Sequence, residues 1–184
     1  MEKLAFKCEK EKDFMKLNTR DLSKISLMAA LSFIGSFISI PIGPVPVTLQ
    51  TLFVLLTALL LNPQSAFFAQ LLHLLLSVLV RGGQIFLSPS FGFLIAFIIV
   101  APVISYLKKT GKVTADRYLV ILATGLIYVI GTPYMAIILN VFLELGLSFS
   151  QLLISGVLLF LPGDGIKAVL AVVLANRLRK IIKH

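Results

Sequence analysis

The sequence predicts an all-α membrane protein of six transmembrane helices, with a short outer half-helix before the sixth and both termini cytoplasmic. Three observations lead there. Of the 184 residues, 58% are hydrophobic and only 14% charged, with a mean hydropathy of +1.01, whereas globular domains run about 45–50% apolar and about 25% charged. The apolar residues fall into runs close to the roughly 17–25 residues that a helix needs to cross the hydrocarbon core. The basic residues bunch outside those runs: Lys3 to Lys24 before the first, Lys108, Lys109, Lys112 and Arg117 in one loop, and Arg177, Arg179, Lys180 and Lys183 at the end. A net charge of +9 distributed in this way is a topology signal, and no nucleic-acid partner is expected from it. A single cysteine, Cys8, excludes a disulfide framework and a cysteine-based metal site. The charged N-terminal stretch is long and no small-residue cleavage motif follows the first apolar run, so it does not read as a signal peptide.

Residues 1–23 are expected to form a basic cytoplasmic segment and residues 24–182 a single six-helix domain. The first run, Ile25 to Ile40, ends at "PIGPVP"; the second, Val47 to Leu61, ends at "NPQ"; the third, Ser65 to Val80, ends at "RGG". The fourth runs from Phe91 to Leu107 and the fifth from Tyr118 to Leu143. Gln151 to Leu161 is apolar but has about half the length of a crossing, so it reads as a half-helix that stays on one side. Asp164 to Ile182 is long enough to cross once, with Pro162 and Gly163 in the turn before it and Asp164 as its N-cap. Six crossings bring the three basic segments to one side, which the positive-inside rule makes cytoplasmic; seven would put the basic tail outside. Tyr106 and Tyr118, flanking the basic loop, suit the membrane interface.

The outer face then collects "PIGPVP", "RGGQIFLSPSFG", the segment around Glu144 and "LPGD". Irregular backbone at that depth is tolerated where protein buries it or where it lines a cavity, so an outward-opening cavity is expected there. Asp164 and Lys167 share a helix face at i, i+3. They read either as a fixed acceptor and donor for a small polar ligand or as a capping Asp beside a snorkelling Lys. Arg81, followed by Gly82 and Gly83, reads either as a two-handed carboxylate holder or as an interfacial anchor. Gly83 lets backbone approach a ligand, and Gln84, Ser88 and Ser90 are polar neighbours in the same loop. In "IPIGPVPVTLQT" the prolines stiffen an extended wall, and Thr48 and Gln50 follow it at the start of an apolar helix. Gln50 also suits an interhelical hydrogen bond, as Gln70 and Asn140 do. Helix one carries small residues at four-residue spacing, Ser26/Ala30, Ser32/Ser36 and Gly35/Ser39, which suits either packing inside the bundle or a partner surface. Glu144 reads as a solvated loop charge.

Catalytic groups are sparse. The two histidines, His73 and His184, lie far from paired carboxylates; His73 reads as a hydrogen-bonded helix residue. Ser155-Gly156 has no histidine placed to serve it, and no Walker motif or Gly-rich phosphate loop is present. No catalytic residue, metal site or cofactor is expected. A membrane-embedded enzyme using Asp164 and Lys167 as acid and base is the alternative reading that the missing second carboxylate disfavours.

Four motifs, "IPIGPVPVTLQTLFVLL", "LLLNP", "SPSFGFLIAF" and "LPGDGIKAVLA", together resemble BioY, the biotin-binding S component of energy-coupling factor (ECF) transporters, over about Ser26 to Arg179. The resemblance implies a six-helix substrate-binding protein of the prokaryotic cell membrane that takes biotin, as transported ligand, from outside. It implies as partners a transmembrane coupling subunit, two ATP-binding subunits and membrane lipid. It implies that Asp164 and Lys167 meet the biotin head group, whose ureido ring offers both N–H donors and a C=O acceptor, and that Arg81 is the candidate for the carboxylate end. An S component for another vitamin is the remaining alternative.

Overall fold

The computed structural model describes residues 17–42, 45–111, 113 and 115–182. Cys8, the basic residues from Lys3 to Lys16, Gly43, Pro44, Lys112, Lys183 and His184 lie outside the described residues. The chain is mostly helical. Helix α1 spans Thr19–Gly35, α2 Gln50–Leu60, α3 Pro63–Arg81, α4 Phe91–Lys109 and α5 Asp116–Ile137. A π turn, Ile138–Phe142, extends α5. Helix α6, Phe149–Leu153, continues as a second π turn, Ile154–Leu158, and α7 spans Leu161–Ile182. A 3-10 turn, Gly83–Leu87, joins α3 to α4. Among the described residues four helical stretches are long and apolar enough to cross a membrane: Pro63–Arg81, Phe91–Lys109, Asp116–Phe142 and Phe149–Lys180.

The first apolar run departs from a plain helix. Helix α1 stops at Gly35, and the chain turns into a two-stranded antiparallel hairpin, β1 (Ser39–Ile40) against β2 (Val47–Thr48), in register Ser39 opposite Thr48. Helix α1 ends where its Gly35 meets α2: a Cβ there would lie 2.8 Å from the Phe53 ring. The small residues Ser32 and Ser36 are both buried, so they pack inside the bundle and are no external partner surface; Ser26 stays exposed.

Helix α2 is the axis. Eight of its eleven residues are buried, from Thr51 to Leu59, as expected of a helix apolar on every side. Helices α1, α4 and α7 pack against it. A buried helix end leaves carbonyls without partners, and α4 supplies them: Ser105 Oγ donates to Leu61 O at 2.5 Å and Lys108 Nζ to Leu59 O at 2.8 Å. Lys108 also pairs with Asp116 at 2.9 Å, and Arg179 of α7 pairs with the same carboxylate. This cluster ties the ends of α2, α4, α5 and α7 together, a structural duty for Lys108 beyond its place in a basic loop.

One stripe of α7 faces the bundle. Asp164, Lys167, Ala171 and Ala175 are all buried on it, and the two alanines let α7 lie close to α2. The opposite face carries exposed Ile166, Val169 and Val173, apolar surface that suits lipid. Helices α4 and α5 cross closely at two glycines. A Cβ on Gly92 would sit 2.4 Å from Tyr134 Cβ and 2.8 Å from Gly131 O, and backbone and Cβ atoms cannot rotate away.

Gly92→Ala is therefore expected to lower stability by roughly 1–3 kcal/mol, the usual cost of overpacking, read as a lower melting temperature in detergent. An unchanged melting temperature would mean that α4 and α5 are not in this contact.

Candidate functional site

A cavity of about 330 Å³ opens at the end of the bundle above the first turn of α2, within the range of about 300–1,000 Å³ usual for small-ligand sites. Each wall comes from an element that ends or begins there. Ser36 and Phe37 at the end of α1, then Ser39, Val45, Pro46 and Thr48 of the hairpin region, make one side. Gln50 and Thr51 open α2 beneath it, and Arg81 closes α3 beside it. Ser90, Phe93 and Phe97 of α4 face Ile127 and Tyr128 of α5, while Phe160, Asp164 and Lys167 come from the start of α7. Aromatic rings thus form most of the apolar wall, and the polar groups converge from α1, α2, α3, α5 and α7.

The deepest polar contact is the one that the sequence singles out. Lys167 Nζ donates to Asp164 Oδ1 at 2.6 Å, and the two residues are only 6% and 5% exposed. Asp164 is no N-cap, however. Helix α7 already starts at Leu161, with Pro162 in its first turn where a missing N–H costs nothing, and the Asp164 N–H donates to Phe160 O at 2.8 Å. Its carboxylate turns inward, where Tyr128 O–H donates to Oδ2 at 2.5 Å. A carboxylate accepts at about four lone-pair sites, so each oxygen keeps capacity for one more donor.

Tyr128 is the member of this group that sequence reasoning missed. A usable signal was present, since a tyrosine in the middle of an apolar span needs a partner for its hydroxyl. Phe93, Phe97 and Phe160 left no such signal, because an aromatic on a membrane helix serves packing, lipid and cavity equally well.

Arg81 lies at the rim and is exposed. One Nη donates to Ser36 Oγ at 2.8 Å, and the guanidinium stands over the Phe37 ring at 5.7 Å. The remaining N–H groups of its five-donor fork are left for a ligand. Of the other expected residues, Thr48 and Gln50 line the cavity and share a hydrogen bond of 3.1 Å. Gly83 and Gln84 do not line it; both are exposed on the 3-10 turn outside the rim. Gln70 makes an interhelical bond, Nε2 to Thr57 Oγ1 at 3.3 Å. Asn140 does not: its amide exchanges two hydrogen bonds with the Leu147 backbone and braces the loop before α6. Among the described residues no group of three or more His, Cys, Asp or Glu is placed to hold a metal ion.

This set of an ion pair, aromatic walls and a rim arginine can be set beside known proteins. The BioY family profile matches residues 9–184. The chain belongs to the BioY family. Among curated BioY relatives, the probable biotin transporter BioY of Lysinibacillus sphaericus is 35% identical over 176 residues, covering 90% of each chain. The biotin transporter BioY of Thermotoga maritima is 33% identical over 172 residues, covering 88% of this chain and 97% of its own. A crystal structure of the S component for biotin from an ECF-type ABC transporter superposes with a TM-score of 0.65 at 29% identity, covering 88% of this chain and 91% of that one. BioY is a transporter family, which sets aside the enzyme reading of the Asp164–Lys167 pair.

The buried pair has a stability signature of its own. Removing one partner of a buried ion pair costs up to about 3–5 kcal/mol, whereas neutralising both is far cheaper. Lys167→Met alone is thus expected to melt at a lower temperature than the double variant Asp164→Asn/Lys167→Met. The reverse order would show that the two charges do not depend on each other.

Proposed function

We propose that this protein is the biotin-capture subunit of an ECF-type uptake transporter in a prokaryotic plasma membrane. It takes biotin from outside and presents it to a module of one transmembrane coupling subunit and two ATP-binding subunits. The observation that carries the reading is the buried Asp164–Lys167 pair with Tyr128 on the cavity wall. A ureido ring presents N–H donors and a carbonyl acceptor on one rigid frame. Asp164 retains lone pairs for the N–H groups, and Lys167, an ammonium with three donors, has one to give the carbonyl. The aromatic side chains Phe93, Phe97 and Phe160 suit the fused apolar ring system, and the free donors of Arg81 suit a carboxylate at the rim. Gln50 and Thr48 supply further polar contacts at the cavity edge, while Gly83 and Gln84 stand close to the rim on the turn after Arg81.

The proposed topology has six crossings, with both ends cytoplasmic. Helices α1 and α2 add two crossings to the four long stretches. Helix α2 has eleven residues, about 16 Å at 1.5 Å per residue, roughly half the hydrocarbon thickness. The cavity and the β1–β2 hairpin make up the remaining depth, so a short axial helix suits a site sunk into the outer leaflet. The basic residues at Lys108, Lys109, Arg117, Arg177, Arg179 and Lys180 belong to the end of the bundle away from the cavity, as the positive-inside rule requires of a cytoplasmic face.

Calorimetric titration of the purified protein tests the reading. Wild type is expected to bind biotin. Asp164→Asn and Lys167→Met are each expected to weaken binding roughly tenfold to a hundredfold, since a charged hydrogen bond is worth ~1.5–3 kcal/mol. Arg81→Gln should cost less, because the rim is exposed and screened, and less still for a biotin amide that lacks the carboxylate. Wild-type affinity in both Asp164→Asn and Lys167→Met would remove the pair from the ligand site. For the topology, cysteine labelling should find position 184 shielded from the outside; outside labelling there would overturn the six-crossing count.

A further inference from the structure

His73 is 1% exposed and does not line the cavity, yet it stands directly behind two residues that do. Its ring stacks on Phe97, with centroids 6.3 Å apart and planes at 21°. Its Nε2 lies 3.0 Å from Gln50 Nε2, and its Nδ1 lies 3.2 Å from Gln70 Oε1. Gln70 Nε2 reaches Thr57 Oγ1 at 3.3 Å, and Thr57 Oγ1 reaches Phe53 O at 2.7 Å. At the cavity end, Thr48 Oγ1 meets Gln50 Oε1 at 3.1 Å. Five side chains therefore form one continuous hydrogen-bonded chain from the cavity wall into the core between α2 and α3.

The direction of that chain is set at its far end. The Thr57 hydroxyl has one proton and spends it on Phe53 O, the shortest bond in the series. Thr57 Oγ1 must then accept from Gln70 Nε2, which turns Gln70 Oε1 toward His73. An amide oxygen only accepts, so His73 carries its proton on Nδ1 and its Nε2 is the acceptor. Gln50 must in turn present its NH₂ to His73 and its Oε1 to Thr48. Every amide along the path has one orientation, and the stack on Phe97 holds the imidazole plane against rotation.

We infer that His73 is a positioning residue of the ligand site: through Nε2 it fixes the orientation in which Gln50 offers one N–H and one oxygen lone pair to the cavity. Without that acceptor only Thr48 still holds the Gln50 amide; a hydroxyl donates or accepts, so the site can present donor and acceptor in either order. The inference rests on the biotin-binding reading for its functional consequence, while the arrangement of the chain stands independently of the ligand.

The test has two arms. Selective ¹⁵N labelling of histidine reads the tautomer in the folded wild-type protein, with the His73 signal assigned by its absence in His73→Phe. The expected state is neutral with the proton on Nδ1, and a proton on Nε2 would overturn the inference whatever the ligand. The second arm is a double-mutant cycle on biotin affinity. His73→Phe and Gln50→Met are each expected to weaken binding by roughly three- to tenfold, the worth of one neutral hydrogen bond. The double variant should bind no worse than the weaker single one, because both changes break the same contact. Additive losses, or a His73→Phe protein with unchanged affinity, would overturn the positioning role. A wild type that fails to bind biotin would instead overturn the proposed function, and the tautomer would still decide whether the chain runs as described.

Discussion

Two opposite charges taken out of water are costly unless they meet each other, and the 2.6 Å contact between Asp164 and Lys167 is the constraint around which this bundle is arranged. The pair sits at the start of α7, where the helix has scarcely begun. Its inward direction follows from the stripe it shares with Ala171 and Ala175, which lie against α2. Tyr128 reaches across from α5 to donate to the carboxylate's second oxygen. The attraction between opposite charges at low dielectric offsets the desolvation of each only with good geometry and further hydrogen bonds. Tyr128 is thus part of what offsets the burial of Asp164.

The same economy governs both ends of α2. At the C-terminal end its carbonyls are closed by Ser105 and Lys108, and Asp116 balances Lys108 and Arg179. At the N-terminal end the polar atoms of Thr48 and Gln50 are held by the chain that runs through His73. One end is sealed with charge and the other is left as a cavity. The eleven residues of α2 run from that cavity to the charged cluster.

Much of this was legible in the residues. Apolar runs punctuated by proline and glycine located the helices after the first to within a few positions, because membrane helices cannot hide breaks in their backbone bonding. The Asp164–Lys167 spacing placed both groups on one face, and that held. What failed was local. Helix α1 was expected to run to Ile40, but the chain turns out of the helix at Gly35 to build the hairpin; hydropathy does not distinguish an apolar strand from an apolar helix at such lengths. Asp164 was expected to cap the helix, yet Tyr128, thirty-six positions away in sequence, claims its carboxylate. Ser32 and Ser36 share a spacing that suits either a buried or an exposed contact, and only packing against neighbouring helices decides it. Gly83 and Gln84 follow Arg81 closely in sequence but leave the rim once the 3-10 turn carries them outward.

A structure determined with biotin bound would show which groups hold the ligand. The ureido ring is expected in the cavity above α2, with its N–H groups on Asp164, its carbonyl oxygen on Lys167 and the biotin carboxylate turned toward Arg81. Biotin seated elsewhere, or in this cavity with the ureido ring at the rim and the Asp164–Lys167 pair untouched, would contradict that placement.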